Sequence, residues 1–227
     1  MTSRLHALVI RSSDPEGSVA FWGDLLGRSR EGLDLLPGAD GPLRLSFEAT
    51  DEPKDGLNQI HLHLTSNAAA QDETVARAVE LGASHLDVGQ LPEEEHVVLA
   101  DPDGNEFCVI EAGNSWLAGT GLLGELAADG TRAVGLFWSG ALAWPLVHDE
   151  DGETAIQPPH GGFKIGWGGE PLNERHGRNR LYVVLATEDL DAEVDRLAGL
   201  GAAIVERGTE AVEMADPDGN EFRVRVG

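Results

Sequence analysis

The stretch Ile60–Leu64 reads IHLHL. Residues i and i+2 of a strand point to the same side, so His61 and His63 would present two imidazoles to one face, with Cα atoms roughly 6.5–7 Å apart. Two imidazoles at that reach can share one divalent ion, or they can hydrogen-bond within a polar cavity. A third ligand would come from Cys108, Glu106 or Glu48, and such a mixed N/O/S set admits zinc, nickel, iron or manganese. Cys108 alone reads equally as a small buried residue. Farther along, Glu125 in LLGELA is a candidate base or a partner for a cationic ligand, or else an ion-pair partner of Arg223. Trp138, Trp144 and Trp167 are concentrated in the second half. Some belong to the core, and Trp144 or Trp167 lining a cavity would suit a flat or cationic ligand. His148 and His160 sit beside turns and show no ligand spacing. The acidic run Asp149–Glu153 departs from the 12-residue calcium-loop pattern and reads as a solvated hairpin turn.

The elements that must hold these residues follow a rhythm. Arg4–Ile10 is a β-branched, strand-type run. A helix follows it, with Asp14 as N-cap, Pro15 in its first turn and Gly27 as its stop. Val19, Trp22, Leu25 and Leu26 fall at helical spacing on its inner face. The segment GLDLLPGADGPLRLSFEATD then reads as two or three strands around a Gly/Pro/Asp turn. The order restarts at Asn58–Ser66 with a strand, continues through a helix with its stripe at Val75, Ala78, Val79 and Leu81, and closes with strands SHLDVGQ, EHVVLA and EFCVIEA. It recurs a third time with strand GLLGELA, helix TRAVGLFWSGALAW and strands TAIQPP and GFKIGWGG. The fourth pass has strand RLYVVLA, helix DLDAEVDRLAGLGA and strands AIVERG, AVEMA and EFRVRV.

The octapeptide ADPDGNEF occurs at Ala100–Phe107 and again at Ala215–Phe222, an offset of 215 − 100 = 115 residues. FWGDLLG and FWSGALAW match at 137 − 21 = 116, and ELGAS and GLGAA at 200 − 81 = 119. Independent anchors at nearly one offset indicate a duplication. The reading is an α+β chain of four tandem βαβββ units. Residues 1–113 form one domain and 120–227 a second, joined by the glycine-rich linker Gly113–Gly121. Short connections favour pairing of units 1 with 2 and 3 with 4, with exchange of units between the halves as the alternative. In DPDGN, Pro presets φ, Asp bonds its own backbone and Gly supplies a positive φ, so the repeat marks a turn.

The charge balance narrows the partners. Against 16 Lys+Arg the chain carries 40 Asp+Glu, a formal net charge of −24. Such a surface repels nucleic acid and anionic lipid headgroups and attracts cations; it reads as the solvation of an acidic protein or as a preference for cationic ligands. With 41% hydrophobic residues the chain can fill packed cores. Cys108 is the only cysteine, which rules out an intrachain disulfide and fits a reducing compartment. There is no signal-peptide pattern, and no apolar run approaches the roughly 20 residues that span a bilayer. The expectation is a cytoplasmic monomer or homodimer.

Four βαβββ units, an FW…LG first helix and DPDGNEF before the last strand resemble the vicinal oxygen chelate superfamily, which includes glyoxalase I, bleomycin-resistance proteins and extradiol dioxygenases. The resemblance covers essentially the whole chain, as two glyoxalase-like domains of the actinobacterial type. It implies that paired units curl their sheets into cups. In the metalloenzymes of this superfamily, His on first strands and Glu on closing strands bind a divalent metal. Carried over to this chain, those positions fall on Ala7, on His61 or His63, and on Cys108, which shares its face with Glu106. His6 lies beside Ala7, and alternation sends it to the opposite face. In the second domain the positions fall on Leu123, Tyr182 and Arg223. The resemblance therefore implies a small-molecule binder of the drug- or metabolite-resistance type without a complete metal triad. Its alternative is a metal-dependent lyase, isomerase or dioxygenase using the first cup, with Glu106 and Glu125 as candidate catalytic carboxylates. His61, His63, Cys108, Trp144, Trp167, Tyr182 and Arg223 are the candidate ligand-binding residues, and Tyr182 and Arg223 imply a second cup without metal, where Arg223 is held by Glu125 or Glu221 or holds an anionic ligand group.

Overall fold

The computed structural model describes residues 3–38, 43–91 and 93–227. Unit 1 comprises β1 (Arg4–Ser12), α1 (Pro15–Leu26), β2 (Arg30–Glu31), β3 (Asp34–Leu35) and β4 (Arg44–Ala49). The Gly/Pro/Asp turn expected before β4 lies partly outside the described residues. Unit 2 comprises β5 (Ile60–Leu64), α2 (Gln71–Glu80), β6 (Ser84–His85), β7 (Val97–Ala100) and β8 (Glu106–Val109). Unit 3 is β9 (Leu123–Ala128), α3 (Arg132–Leu142), β10 (Leu146–Glu150), β11 (Glu153–Ile156) and β12 (Lys164–Trp167). Unit 4 is β13 (Leu181–Thr187), α4 (Leu190–Leu200), β14 (Ala203–Arg207), β15 (Ala211–Ala215) and β16 (Glu221–Val226).

Local chemistry sets the helix ends. The Asp14 carboxylate accepts from the Gly17 backbone N–H at 3.1 Å, and Gly27 stops α1 at φ 63°. Asp189 caps α4 in the same way, and Gly201 ends it at φ 117°. An acceptor at the N-cap and a residue free of Cβ strain in the left-handed region are what those positions require.

The strands form two eight-stranded mixed sheets. Sheet I has the order β14-β15-β16-β13-β1-β4-β3-β2, and sheet II the order β10-β11-β12-β9-β5-β8-β7-β6. Unit 1 therefore pairs with unit 4, and unit 2 with unit 3. This corrects the expectation of pairing within each half. The central joints are antiparallel, β1 against β13 and β5 against β9. The short-connection argument holds equally for units 2 and 3, which are neighbours in sequence across Gly113–Gly121.

Contacts within each half run through the repeated turn instead. Trp22 on α1 donates its indole N–H to the Asp101 carboxylate at 3.0 Å and packs on Phe107 with ring centres 5.0 Å apart. Trp138 on α3 does the same to Asp216, at 3.4 Å, and to Phe222, at 5.1 Å. The other oxygen of Asp101 accepts from the backbone of Asp103 and Asn105, and that of Asp216 from Asp218 and Asn220. The verbatim octapeptide thus combines a self-bonded turn with a socket for the helix of the preceding unit. Both Asp and Phe are fixed by that double duty.

Strand alternation sorts the two faces. Leu8, Ile10, Leu62, Leu64, Leu181, Val183 and Leu185 enter one large core shared by all four units. The opposite faces form the cups. Ala7, Val9, Tyr182 and Val184 cluster in sheet I, and Val98, Cys108, Ile110 and Leu117 in sheet II.

Candidate functional site

In sheet II the register places His63 opposite Glu125 on β9 and opposite Cys108 on β8. His61, His63 and Cys108 offer ligand atoms all within 4.8 Å of one another. The Nε2 atoms of His61 and His63 meet at 2.9 Å, and their rings lie 4.8 Å apart at the centroids. Behind them, His63 Nδ1 lies 2.9 Å from a Glu125 carboxylate oxygen. The other Glu125 oxygen accepts from the Trp116 indole N–H at 2.7 Å. Trp116 is fixed in turn by Lys164, whose ammonium sits 4.6 Å from the indole centre and donates to the Trp116 carbonyl at 2.5 Å. His148 packs edge-on to the same indole at 4.9 Å.

The protonation pattern follows from this chain of contacts. Burial, then the neighbouring His63 and His96, push His61 down to about 3, so it is neutral at pH 7. Burial alone would lower His63 too, but its hydrogen bonds to Cys108 and Glu125 outweigh that and push it up to about 9. His63 then donates from Nδ1 to Glu125 and from Nε2 to the neutral His61. An acidic partner behind one ring nitrogen fixes which nitrogen faces the cavity.

These groups open on a cleft of about 280 Å³ lined by His61, His63, Trp116, Glu125, Glu153 and Trp167, among others. Gly166 on β12 belongs to this wall, where a Cβ would collide with the Glu125 carboxylate. Small-residue geometry here makes room for Glu125, and unit 3's closing strand contributes no side-chain donor at Gly166.

The structure redistributes several expected residues. Glu125 faces the same cup as the two histidines, because β9 belongs to sheet II. It does not hold Arg223. Glu48 lies on β4 of sheet I and is no third ligand for the histidines. Instead it accepts from the Tyr182 hydroxyl at 2.7 Å and from Arg223 at 3.0 Å. Glu106 is nearly buried and engaged by Lys54 at 2.9 Å and by the backbone and side-chain amides of Asn58, outside the three-donor cluster. Trp167 lines the sheet II cleft. Trp144 stacks edge-on against Phe163 at 5.8 Å and borders a different cleft with His6 and His160. His6 occupies a register slip in β1 between Leu5 and Ala7. Tyr182 and Arg223 share the sheet I cup, with the Arg223 guanidinium 5.1 Å from the phenol ring centre. Trp116 and Lys164 were not anticipated; the only signal for Trp116 was a lone tryptophan inside a glycine-rich linker.

Among the described residues, no helix is long and apolar enough to cross a membrane. The chain covers 99% of itself and 92% of glyoxalase I from Zea mays, at 16% identity and a TM-score of 0.62. The V278E mutant of that enzyme gives 15% identity, with 99% and 92% of the two chains covered and a TM-score of 0.66. A putative dioxygenase from Bacillus subtilis subsp. subtilis str. 168 gives 14% identity, 99% and 85% coverage and a TM-score of 0.60. Likeness at this identity concerns the fold. No curated protein matches the sequence. A family model described as a glyoxalase-like domain matches residues 7–110 and again 125–225, so the chain belongs to the glyoxalase-like family of the vicinal oxygen chelate superfamily, with two copies in tandem.

Proposed function

We propose that this glyoxalase-like protein binds a small oxygenated organic molecule in the sheet II cup, above a divalent-cation centre made by His61, His63 and Cys108. The observation that supports this reading is the convergence of three donors within 4.8 Å, with Glu125 set behind His63. The donor set fits a borderline cation such as zinc or nickel, since two imidazoles and a thiolate are poor ligands for magnesium or calcium. Three protein ligands leave a fourth position for an oxygen of the ligand. When bound, such an ion would polarise a carbonyl or hydroxyl oxygen of that molecule.

The chain's own residues do the rest. Glu125 holds His63 by Nδ1 and keeps Nε2 turned into the cup, where its proton would have to leave for an ion to be held. Trp116 holds Glu125, and Lys164 holds Trp116, so the ring orientation is set three contacts deep. Trp116 walls the cleft with flat apolar surface suited to excluding water from a small ligand, and Trp167 borders it from the core, where it is only 4% exposed.

A second reading is metal-free capture of the same class of molecule, as in a drug- or metabolite-resistance protein. It is favoured by the missing carboxylate on the closing strands, where this chain has Cys108 and Gly166. Elemental analysis of the purified full chain, followed by zinc titration, separates the two. About one divalent ion per chain, lost on replacing His61 and His63 with Ala, supports the first. An ion-free protein that takes up no zinc overturns it and leaves capture without metal.

A further inference from the structure

The mouth of the sheet I cup carries an arrangement that the sheet II reading does not use. A cleft of about 250 Å³ lies where units 1, 2 and 4 meet, lined by Arg11, Gln59, Arg175, Arg178 and Arg180, with the exposed carboxylates of Glu52 and Asp55 at its rim. In a chain with 16 Lys+Arg against 40 Asp+Glu, four arginines around one cleft is a strong local departure.

Their pairing is incomplete. Arg178 is bound to Glu213 and Arg180 to Asp103. Arg11 makes no ion pair among the described residues; its guanidinium lies over the Tyr182 ring, 5.1 Å from the centre. Arg175 hydrogen-bonds only to the Gly219 carbonyl and has no carboxylate partner among the described residues. Two further donors in the wall, Gln59 Nε2 and Arg180 Nε, are buried with no acceptor. Inside the wall the unmet capacity is that of donors, while the carboxylates of Glu52 and Asp55 stay at the exposed rim. Buried donors without acceptors are rare in folded proteins. Beside two guanidinium groups that have no carboxylate partner among the described residues, an oxyanion is the acceptor that matches both charge and hydrogen bonding.

We infer that this cleft binds a small organic oxyanion, a carboxylate or a phosphate ester, through Arg11 and Arg175. Guanidinium forks match the planar or tetrahedral oxygens of such groups, and Tyr182 holds Arg11 flat from below. Arg180 anchors the wall from the other side: it also bonds the carbonyls of Arg11, at 3.1 Å, and Glu52, at 3.2 Å, tying unit 4 to unit 1. The overall negative charge repels anions in general, so an anion held here is selected by geometry.

The test is isothermal titration of the full chain at low salt with inorganic phosphate and, separately, with succinate. Saturable binding of either at one per chain is expected, weakening as salt is raised. Preference for phosphate identifies a phosphoryl ligand, and preference for succinate a carboxylate. Arg11→Gln and Arg175→Gln should each weaken binding roughly tenfold or more. Arg175 is exposed, so its variant keeps the test valid if Arg11→Gln unfolds. Absence of saturable binding by both anions, or affinity unchanged in a folded Arg175→Gln variant, overturns the inference.

Discussion

The two cups are built on one plan and furnished with opposite chemistry. In sheet II, His63 stands between Glu125 and Cys108; at the equivalent register in sheet I, Val184 stands between Ala7 and Arg223. His61 corresponds to Tyr182 two residues earlier on the same strand face. Three nitrogen and sulfur donors and a carboxylate in one cup are thus matched by two aliphatic residues, a phenol and a guanidinium in the other. A cation is attracted to the first set and repelled by the second. The comparison teaches that duplication preserved what positions side chains, namely strand alternation and the Asp–Trp–Phe socket, while the positioned residues were free to change.

The largest effect expected from breaking this contrast is loss of the ion. Replacing both His61 and His63 with Ala should remove stoichiometric divalent metal by elemental analysis, whereas Tyr182→Ala should leave it unchanged. Metal retained by the double variant would place the ion elsewhere.

The shared scaffold predicts symmetric damage. Trp22→Ala and Trp138→Ala each remove a buried indole, its hydrogen bond to the turn aspartate and its packing on phenylalanine. Each should cost about 3–5 kcal/mol in urea unfolding. A much smaller loss in one half would show that its turn socket is not equivalent to the other.

A subtler blow is aimed at the contacts behind the ligands. Glu125→Gln keeps the shape but removes the charge behind His63, and zinc affinity should fall about 10–100-fold. A matched loss of carboxylate charge in the sheet I cup, Glu48→Gln, should not alter zinc affinity. A fall there would tie the two cups together.

Much of this arrangement is legible in the sequence, and the part that is not has a physical reason. The period-2 pattern of IHLHL fixed that His61 and His63 share a face, and the repeat fixed four units and their turns. The strand partners were hidden, because ladder hydrogen bonds are made by backbone that looks alike in every strand. Assigning unit 1 to unit 2 put Glu125 in the wrong cup and Glu48 beside the wrong residues. Trp116 was invisible for a related reason: a linker has no period from which a direction can be read.

The smallest predicted effect is also the cleanest to isolate, because Tyr182 is the only tyrosine in the chain. Burial, then its hydrogen bond to Glu48 and the charge of that carboxylate, hold the phenol above its usual value, with Arg223 and Arg11 pulling the other way. The folded protein therefore keeps a proton that the unfolded chain releases near pH 10. Whenever the native state binds more protons than the unfolded one, stability falls as pH rises. Stability should thus be insensitive to this group below about pH 10 and decline above it, with the phenolate ultraviolet signal arriving late. Glu48→Gln removes the carboxylate that resists ionisation while leaving both arginines in place, so the phenolate should then appear at lower pH. An unchanged titration in that variant would mean that burial alone holds the proton. The sheet I cup would then owe its character to the aliphatic floor of Ala7, Val9 and Val184 rather than to the Glu48–Tyr182–Arg223 contacts.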